Sequence, residues 1–397
     1  MISTKKKRFS RPSIRFHCQK SPIFVLCCES KSKDMELTRP TLLIDPLKSK
    51  ENLKRMKKKA DHHKVAFRPH FKTHQSHAIG SWFKKQGVKS ITVSSADMAE
   101  YFMQDNWNDI LIAFPLNINE LNSINRLSGK INLSLTLENQ EGLAYLNEHL
   151  RNKVDVYIKI DTGYNRTGIP WENKEEIVAL AKLIHHSPKI NLKGILCHAG
   201  QTYQANTVSE IRGIHQVSRD RMVGVKKSLK EIRRDLIVSI GDTPGCSLSD
   251  DFTGIDEVRP GNFIFYDLQQ YKLGACQLSD IAVCMACPVV AKHQERNELV
   301  VYGGAVHFSK DSFMEGGKPV YGYVVPLSDE DWVAEPGSMV MTRMSQEHGI
   351  ISVTPDVFHK FNIGEFIGIL PSHSCLTANL MKGYYDFQGH HYDHMQG

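Results

Sequence analysis

From residue 45 to about 275, short apolar runs alternate with longer stretches in which apolar residues recur at helical spacing. The runs predict strands at Lys64–Arg68, Ser90–Val93, Ile110–Phe114, Ile131–Leu137, Val154–Ile160, Leu192–His198 and Leu236–Ile240, with a short one at Glu257–Arg259. The β-branched run Val154-Asp-Val-Tyr-Ile-Lys-Ile160 has the character of a strand covered by helices. Helical patterns lie between the strands, at Leu47–His62, Glu175–His185 and Thr207–Arg234; in the second, Ile177, Leu180, Ala181 and Ile184 share one face. Eight strands alternating with helices over roughly 230 residues predict an α/β fold, a (β/α)8 TIM-type barrel in preference to an open doubly wound sheet.

After residue 275 the rhythm changes. Ile281–Lys292, Glu298–Tyr302, Tyr321–Pro326, Ser338–Met344, Ile350–Thr354 and Phe366–Leu370 are short, β-rich and separated by Gly, Pro and Asp, without a long helical pattern. They predict a C-terminal all-β domain over residues 276–388, which the strand near Thr41–Ile44 joins, with the barrel over 35–275. The His-rich end, residues 389–397, reads as a polar surface tail.

Charge removes one class of function. The net charge of +7 lies wholly in residues 1–34, which hold nine Lys/Arg and two Asp/Glu; the other 363 residues balance at 41 against 41. A neutral body lacks the broad basic footprint of a nucleic-acid-binding protein. The first 34 residues lack hydrophobic periodicity and read as a disordered basic extension or a mis-called start, with a transit peptide second. No run approaches the ~18 apolar residues of a membrane span. Nine irregularly spaced cysteines, with Cys284 and Cys287 inside an apolar strand, read as reduced thiols of a cytoplasmic protein.

Candidate chemistry collects where the barrel strands end, the end that carries active sites in such barrels. The first strand ends in Arg68-Pro-His-Phe-Lys72-Thr-His74, a lysine between histidines suited to amine chemistry. The fifth ends in Asp161-Thr-Gly-Tyr-Asn-Arg166-Thr-Gly168 and the sixth in His198-Ala-Gly-Gln-Thr-Tyr203. The seventh ends in Ser239-Ile-Gly-Asp-Thr-Pro-Gly-Cys246, whose Gly241 and Thr243 suit a phosphate cradle; the eighth leads to Arg259-Pro-Gly261-Asn262 and Tyr266. Any one of these motifs is also common on ordinary surfaces; their succession in register is not.

In that order the motifs resemble the fold-type III pyridoxal-phosphate enzymes, specifically the D-threonine aldolase and D-serine dehydratase branch of the alanine-racemase-like superfamily. The resemblance runs from about Thr41 to Gly383 and includes Pro371-Ser-His373-Ser-Cys375-Leu-Thr, which matches that branch's metal motif. A departure is Val306-His307-Phe308-Ser309, where relatives often carry alanine and lysine before the serine. The resemblance implies pyridoxal 5'-phosphate joined to Lys72. It places His70 and Arg166 beside the cofactor, Tyr203 near its face, and Ser239, Gly241, Thr243, Gly261, Asn262 and Tyr266 at its phosphate. Arg259 could meet the ring nitrogen or serve as a structural ion pair.

His373 and Cys375, taken as neighbours on one face of an extended strand, are the expected ligands of Zn2+ or another divalent metal. Imidazole plus thiolate suits zinc, and two protein ligands leave positions for substrate oxygens. His198 and His348 are candidate acid–base residues. The implied function is a lyase of a β-hydroxy D-amino acid, of dehydratase or aldolase type, with the dehydratase slightly favoured. An amino-acid racemase and a non-catalytic cofactor carrier are the alternatives. The expected partners are a small D-amino acid and a second copy of the chain, with no nucleic acid and no membrane.

Overall fold

The computed structural model describes residues 37–328, 330–332 and 339–396. The expectation for residues 1–34, and Ser338 of one expected strand, lie outside them. The chain enters through β1 (Thr41–Ile44) and turns at Asp45, whose carboxylate accepts from Leu47 N at 2.8 Å and Lys48 N at 3.0 Å, into α1 (Pro46–His62). This is a capped start with proline in the first turn.

Barrel strands then alternate with helices: β2 (Ala66–Phe67), α2 (His77–Lys85), β3 (Ile91–Val93), α3 (Ala96–Met103), β4 (Asp109–Pro115), α4 (Leu121–Ser128), β5 (Asn132–Leu137), α5 (Gln140–His149) and β6 (Val154–Asp161). A two-residue β7 (Ile169–Pro170) rests on β6, and α6 (Lys174–His185), β8 (Ile190–Cys197), α7 (Val208–Ser228), β9 (Ile237–Ile240), α8 (Thr243–Leu248) and β10 (Glu257–Val258) follow. The order around the sheet is β2-β10-β9-β8-β6-β5-β4-β3, parallel throughout. A parallel bridge between His70 and Thr92 closes the ring. All eight expected strands are present. In α6 the expected apolar face, Ile177, Leu180, Ala181 and Ile184, is buried. Helix α7 stops at Ser228, short of Arg234, because Leu229 is the last buried residue before the charged stretch that follows.

Helix α9 (Leu268–Lys272) leaves the barrel for β11 (Val283–His293), β12 (Glu298–Tyr302), α10 (Ala305–Phe308) and a small hairpin of β13 (Phe313–Glu315) and β14 (Lys318–Val320). Next come β15 (Gly322–Val325), β16 (Val340–Met344), β17 (His348–Ser352), α11 (Pro355–Phe358), β18 (Phe366–Pro371), α12 (Ser374–Met381), β19 (Tyr384–Tyr385) and β20 (His391–Tyr392). The antiparallel order β12-β17-β16-β15-β18-β11 closes because β11 also pairs with β12, across a bulge between Val289 and Ala291. β1 pairs with β11 on one side and β19 on the other, so the first strand belongs to the β-structure, as expected.

Two expectations are corrected. His373 and Cys375 are not on a strand: β18 ends at Pro371, His373 caps α12 in extended conformation, and Cys375 lies in that helix's first turn. The residues from 389 are not a free polar tail, since β20 pairs with β19 and His394 is buried.

Candidate active site

The loop after β2 carries Lys72, exposed at the mouth of the barrel. Its backbone N–H lies 3.3 Å from Nδ1 of half-buried His70. The turn after β10 presses against this loop. A Cβ at Gly261 would lie 2.9 Å from the His70 carbonyl oxygen, so only glycine permits the approach. Arg68, at the start of the loop, points into the barrel. It donates to Glu257 at 2.6 Å and to Asp109 at 2.9 Å and anchors the loop from below.

The turn from β9 into α8 forms a cradle. Asp242 caps α8, accepting from Gly245 N at 2.5 Å and from the Thr202 hydroxyl at 2.9 Å. The Thr243 hydroxyl is buried without a partner, its N–H donates to the Tyr203 hydroxyl at 3.2 Å, and the neighbouring turn holds Asn262, whose Oδ1 is likewise unpartnered. Unpaired buried polar atoms are costly unless a ligand answers them. An anion such as a phosphate fits a donor hydroxyl backed by a glycine-rich turn. Gly241 and Thr243 lie in this turn and Gly261 and Asn262 in the neighbouring one, with the Thr243 hydroxyl the free donor among them.

Two expected cradle residues do not join them. The Ser239 hydroxyl donates to Glu257 at 2.6 Å and accepts from Arg259 at 3.0 Å, so it is committed inside the barrel. The Tyr266 hydroxyl meets Ser247 at 3.2 Å, at the far end of α8 from the cradle turn. Arg259 is buried and also donates to the Cys197 carbonyl at 2.6 Å.

His198 donates through Nδ1 to the Gly241 carbonyl, which leaves its Nε2 lone pair free. Tyr203 and Tyr164 flank its ring at 6.1 and 6.0 Å between centroids, and exposed Arg166 stacks on Tyr164 at 5.1 Å. Burial, then the nearby Arg166, Lys159 and Lys72 cations, hold His198 well below the usual histidine range. Burial, then Lys72 and Arg259, do the same to His70. Burial and Arg259 push Lys159 down to about 8. The pocket is thus a cationic bowl with neutral imidazoles, suited to an anionic ligand.

The β-domain meets this bowl at Cys375. Its thiol lies 3.3 Å from the Thr73 hydroxyl and 3.4 Å from Asn262 Nδ2. His373 places Nδ1 2.6 Å from Asp311 Oδ2 and lies near enough to Cys375 for each to shift the other's charge. Burial opposes charge on His373, but Asp311 and Cys375 outweigh it and raise the imidazole to about 11; burial likewise opposes the Cys375 thiolate, and His373 outweighs it. Paired imidazole and thiolate fit a divalent ion, with Asp311 orienting the ring as carboxylates do behind metal-bound histidines. Among the described residues no group of three or more His, Cys, Asp or Glu is arranged to hold an ion. His348 lies apart: it is exposed at the start of β17, and Ser345 is its hydrogen-bond partner among the described residues.

Asp311, Thr73, Asp109 and Glu257 were not among the expected site residues. Glu257 carried a signal, a carboxylate inside a strand meant to be covered on both faces. Asp311 carried none, because 62 residues separate it from its histidine.

The family "Alanine racemase, N-terminal domain" matches residues 44–269, and the family "Putative serine dehydratase domain" matches residues 282–386. A D-serine dehydratase of Dictyostelium discoideum is 30% identical over 377 residues, covering 88% of this chain and 93% of that one. The structure of D-threo-3-hydroxyaspartate dehydratase from Delftia superposes with a TM-score of 0.84 at 25% identity, covering 91% of this chain and 98% of that one. A cysteine-to-alanine mutant of D-threo-3-hydroxyaspartate dehydratase, in its metal-free form, superposes equally well, at 0.84.

Proposed function

This chain belongs to the alanine racemase N-terminal domain family, with a serine-dehydratase-type domain behind the barrel, and from that premise we propose that it is a pyridoxal-phosphate- and metal-dependent lyase of β-hydroxy D-amino acids, of the D-serine dehydratase type. The observation that carries this reading is the contact between Thr73, beside Lys72, and Cys375, beside His373. It sets a metal pair against the cofactor lysine, an arrangement that a racemase or a carrier has no use for.

When bound, pyridoxal phosphate supplies an electron sink that acidifies the substrate's Cα–H, and the divalent ion supplies a Lewis acid for the β-hydroxyl. Thr243, Gly241, Gly261 and Asn262 would hold the phosphate. Lys72 would carry the cofactor and, with its amine free, would be the base for the Cα proton. His373 and Cys375 would hold the ion, and Asp311 fixes the His373 ring. His198, kept neutral and bonded through Nδ1, presents Nε2 to the pocket; in an aldolase it would take the β-hydroxyl proton instead. In the dehydratase the Cα–H and Cβ–O bonds break, water leaves, and hydrolysis of the released enamine gives a 2-oxo acid and ammonium.

Zinc is the proposed ion, on the strength of the imidazole–thiolate pair. A homodimer is proposed, supported by half-exposed Val306, Leu376, Leu380 and Tyr385 around α10, α12 and β19. Cytoplasmic residence is proposed from six free thiols among the described residues, five of them buried. No described helix is long and apolar enough to cross a membrane.

Purified protein incubated with D-serine and with D-threonine, with and without chelator, tests the reading. Chelator-sensitive formation of pyruvate and 2-oxobutyrate is expected. Glycine with acetaldehyde would show an aldolase, and the L-isomer a racemase.

A further inference from the structure

The C-terminal segment is bound to the loop that carries Lys72. The Tyr384 hydroxyl donates to the His74 carbonyl at 2.8 Å, and Met395 N donates to the Gln75 carbonyl at 2.6 Å. Asp393 accepts from the Ser76 hydroxyl at 2.8 Å, from His77 N at 2.9 Å and from Ala78 N at 3.0 Å, and Tyr101 donates to it as well. The carboxylate therefore takes two of the free N–H groups that open α2, with the Ser76 cap serving Ile79 N at 3.1 Å. Tyr392 packs edge-on against Trp82 of the same helix, with ring centroids 5.7 Å apart.

The loop so held is not relaxed on its own. Gln75 has φ +44°, a left-handed conformation that a side-chain-bearing residue adopts only when neighbours impose it. Its amide bridges the Lys72 carbonyl and Asn379 of α12, both at 3.1 Å. From His74 to Ala78, each residue has a backbone or side-chain group bonded to residues 379–395. A polar chain end needs none of these bonds for solubility, and they converge on the one loop that carries the cofactor lysine.

We propose that residues 384–395 are a clasp that sets the position of Lys72, with Asp393 as its positioning residue. This rests on the reading of Lys72 as the cofactor lysine. Asp393 touches neither cofactor nor substrate; it fixes the start of α2 and hence the loop five residues back. Opening the clasp loosens Lys72, so condensation with pyridoxal phosphate weakens before the barrel unfolds.

The test compares Asp393→Asn with wild type and with Ile184→Ala, a cavity variant in α6 that involves neither the loop nor the clasp. Asparagine keeps the size of the side chain but turns an N–H2 group toward donors. Two quantities are read: hydrogen exchange of residues 70–78 in the cofactor-free protein, and the dissociation constant of pyridoxal phosphate by absorbance titration. In Asp393→Asn, exchange across 70–78 is expected to rise at least tenfold with β11 unchanged, and the cofactor to bind at least tenfold more weakly. Ile184→Ala should lower the melting temperature without either effect. Unchanged exchange in Asp393→Asn, or equal weakening in Ile184→Ala, would overturn the clasp. If Asp393→Asn does not fold, Tyr384→Phe, which removes only the bond to His74, should shift both readings in the same direction; no shift overturns the proposal. A wild type that binds no pyridoxal phosphate refutes the functional reading and leaves the exchange measurement to judge the clasp alone.

Discussion

The Thr73 hydroxyl lies 3.3 Å from the Cys375 thiol, so the residue next to Lys72, the proposed cofactor lysine, touches one of the two proposed metal ligands of the β-domain. The two motifs are about 300 residues apart in sequence, yet they form one site because α12 turns its first residues onto the loop after β2. Thr73→Val removes the hydroxyl and keeps the shape. The expected loss is one hydrogen bond to a charged partner, about 1.5–3 kcal/mol, or roughly tenfold to a hundredfold in metal affinity. Metal titration against a chromophoric chelator checks it, and the visible absorbance of lysine-bound cofactor should persist.

Lys72→Ala and Cys375→Ala should fail in opposite ways. The first loses the visible cofactor absorbance and activity while the metal stays; the second loses the metal and activity while the absorbance stays. The cradle of Thr243, Gly261 and Asn262 lies in the barrel and does not need Cys375 to form, and an open two-ligand site is not what holds the fold together. Loss of cofactor from Cys375→Ala, or borohydride trapping of the cofactor on another lysine, would contradict this division of labour.

Asp311 lies 2.6 Å from His373 Nδ1, so on the proposed reading it would act on the metal through that ring. Asp311→Asn keeps the size and removes the charge that orients and polarises the ring. Metal affinity should fall by roughly ten- to a hundredfold, as when such outer partners are removed elsewhere. Excess metal should restore most activity, which separates positioning from chemistry; a variant that no excess metal rescues would place Asp311 in the reaction itself.

The barrel was legible because parallel strands covered on both faces must be apolar runs, and Val154–Ile160 shows this directly. The lysine loop and the Gly241–Thr243 turn were legible because local sequence supplies their chemistry. What could not be read depended on contacts made at a distance. Ser239 sits in a phosphate-like motif, but its hydroxyl is taken by Glu257 and Arg259 from the next strand and turn. His373-Ser-Cys375 alternates like a strand, yet the chain turns into α12 after Pro371, and the two side chains meet across a helix start. The histidine-rich end looks like a solvated tail because its partners, Ser76, Tyr101 and Trp82, lie some 300 residues earlier.

Acid should weaken the fold in a defined window. Burial holds His215 and His394 down to about 4 and His74 down to about 3, all neutral in the folded protein. Each donates or accepts as a neutral ring: His215 through Nε2 to the Asp251 carbonyl at 3.2 Å, His394 through Nδ1 to the Met395 carbonyl at 2.7 Å, and His74 accepting from Ser76 N at 3.1 Å. Unfolding returns them to an ordinary value near about 6.5, so between that pH and 4 the unfolded chain binds more protons than the folded one. Their contribution is complete above pH ~6.5 and falls away as pH drops toward 4, by about 1.4 kcal/mol per pH unit for each histidine. Buried Lys159, held at about 8, gives a slope of the same sign on the alkaline side, since the folded state again binds fewer protons until the unfolded lysine titrates near about 10.4. Urea unfolding from pH 4 to 10 should show stability rising with pH in the acid window; between about 8 and 10.4 the Lys159 slope is opposed by His373, raised to about 11 in the fold, so no net alkaline rise is expected. Replacing His215 by Asn should lower the acid-side slope by one proton's worth, whatever it does to stability at pH 7. A flat profile between pH 4 and 6.5 would mean that these histidines are protonated in the fold and that their surroundings are wetter than the packing shows.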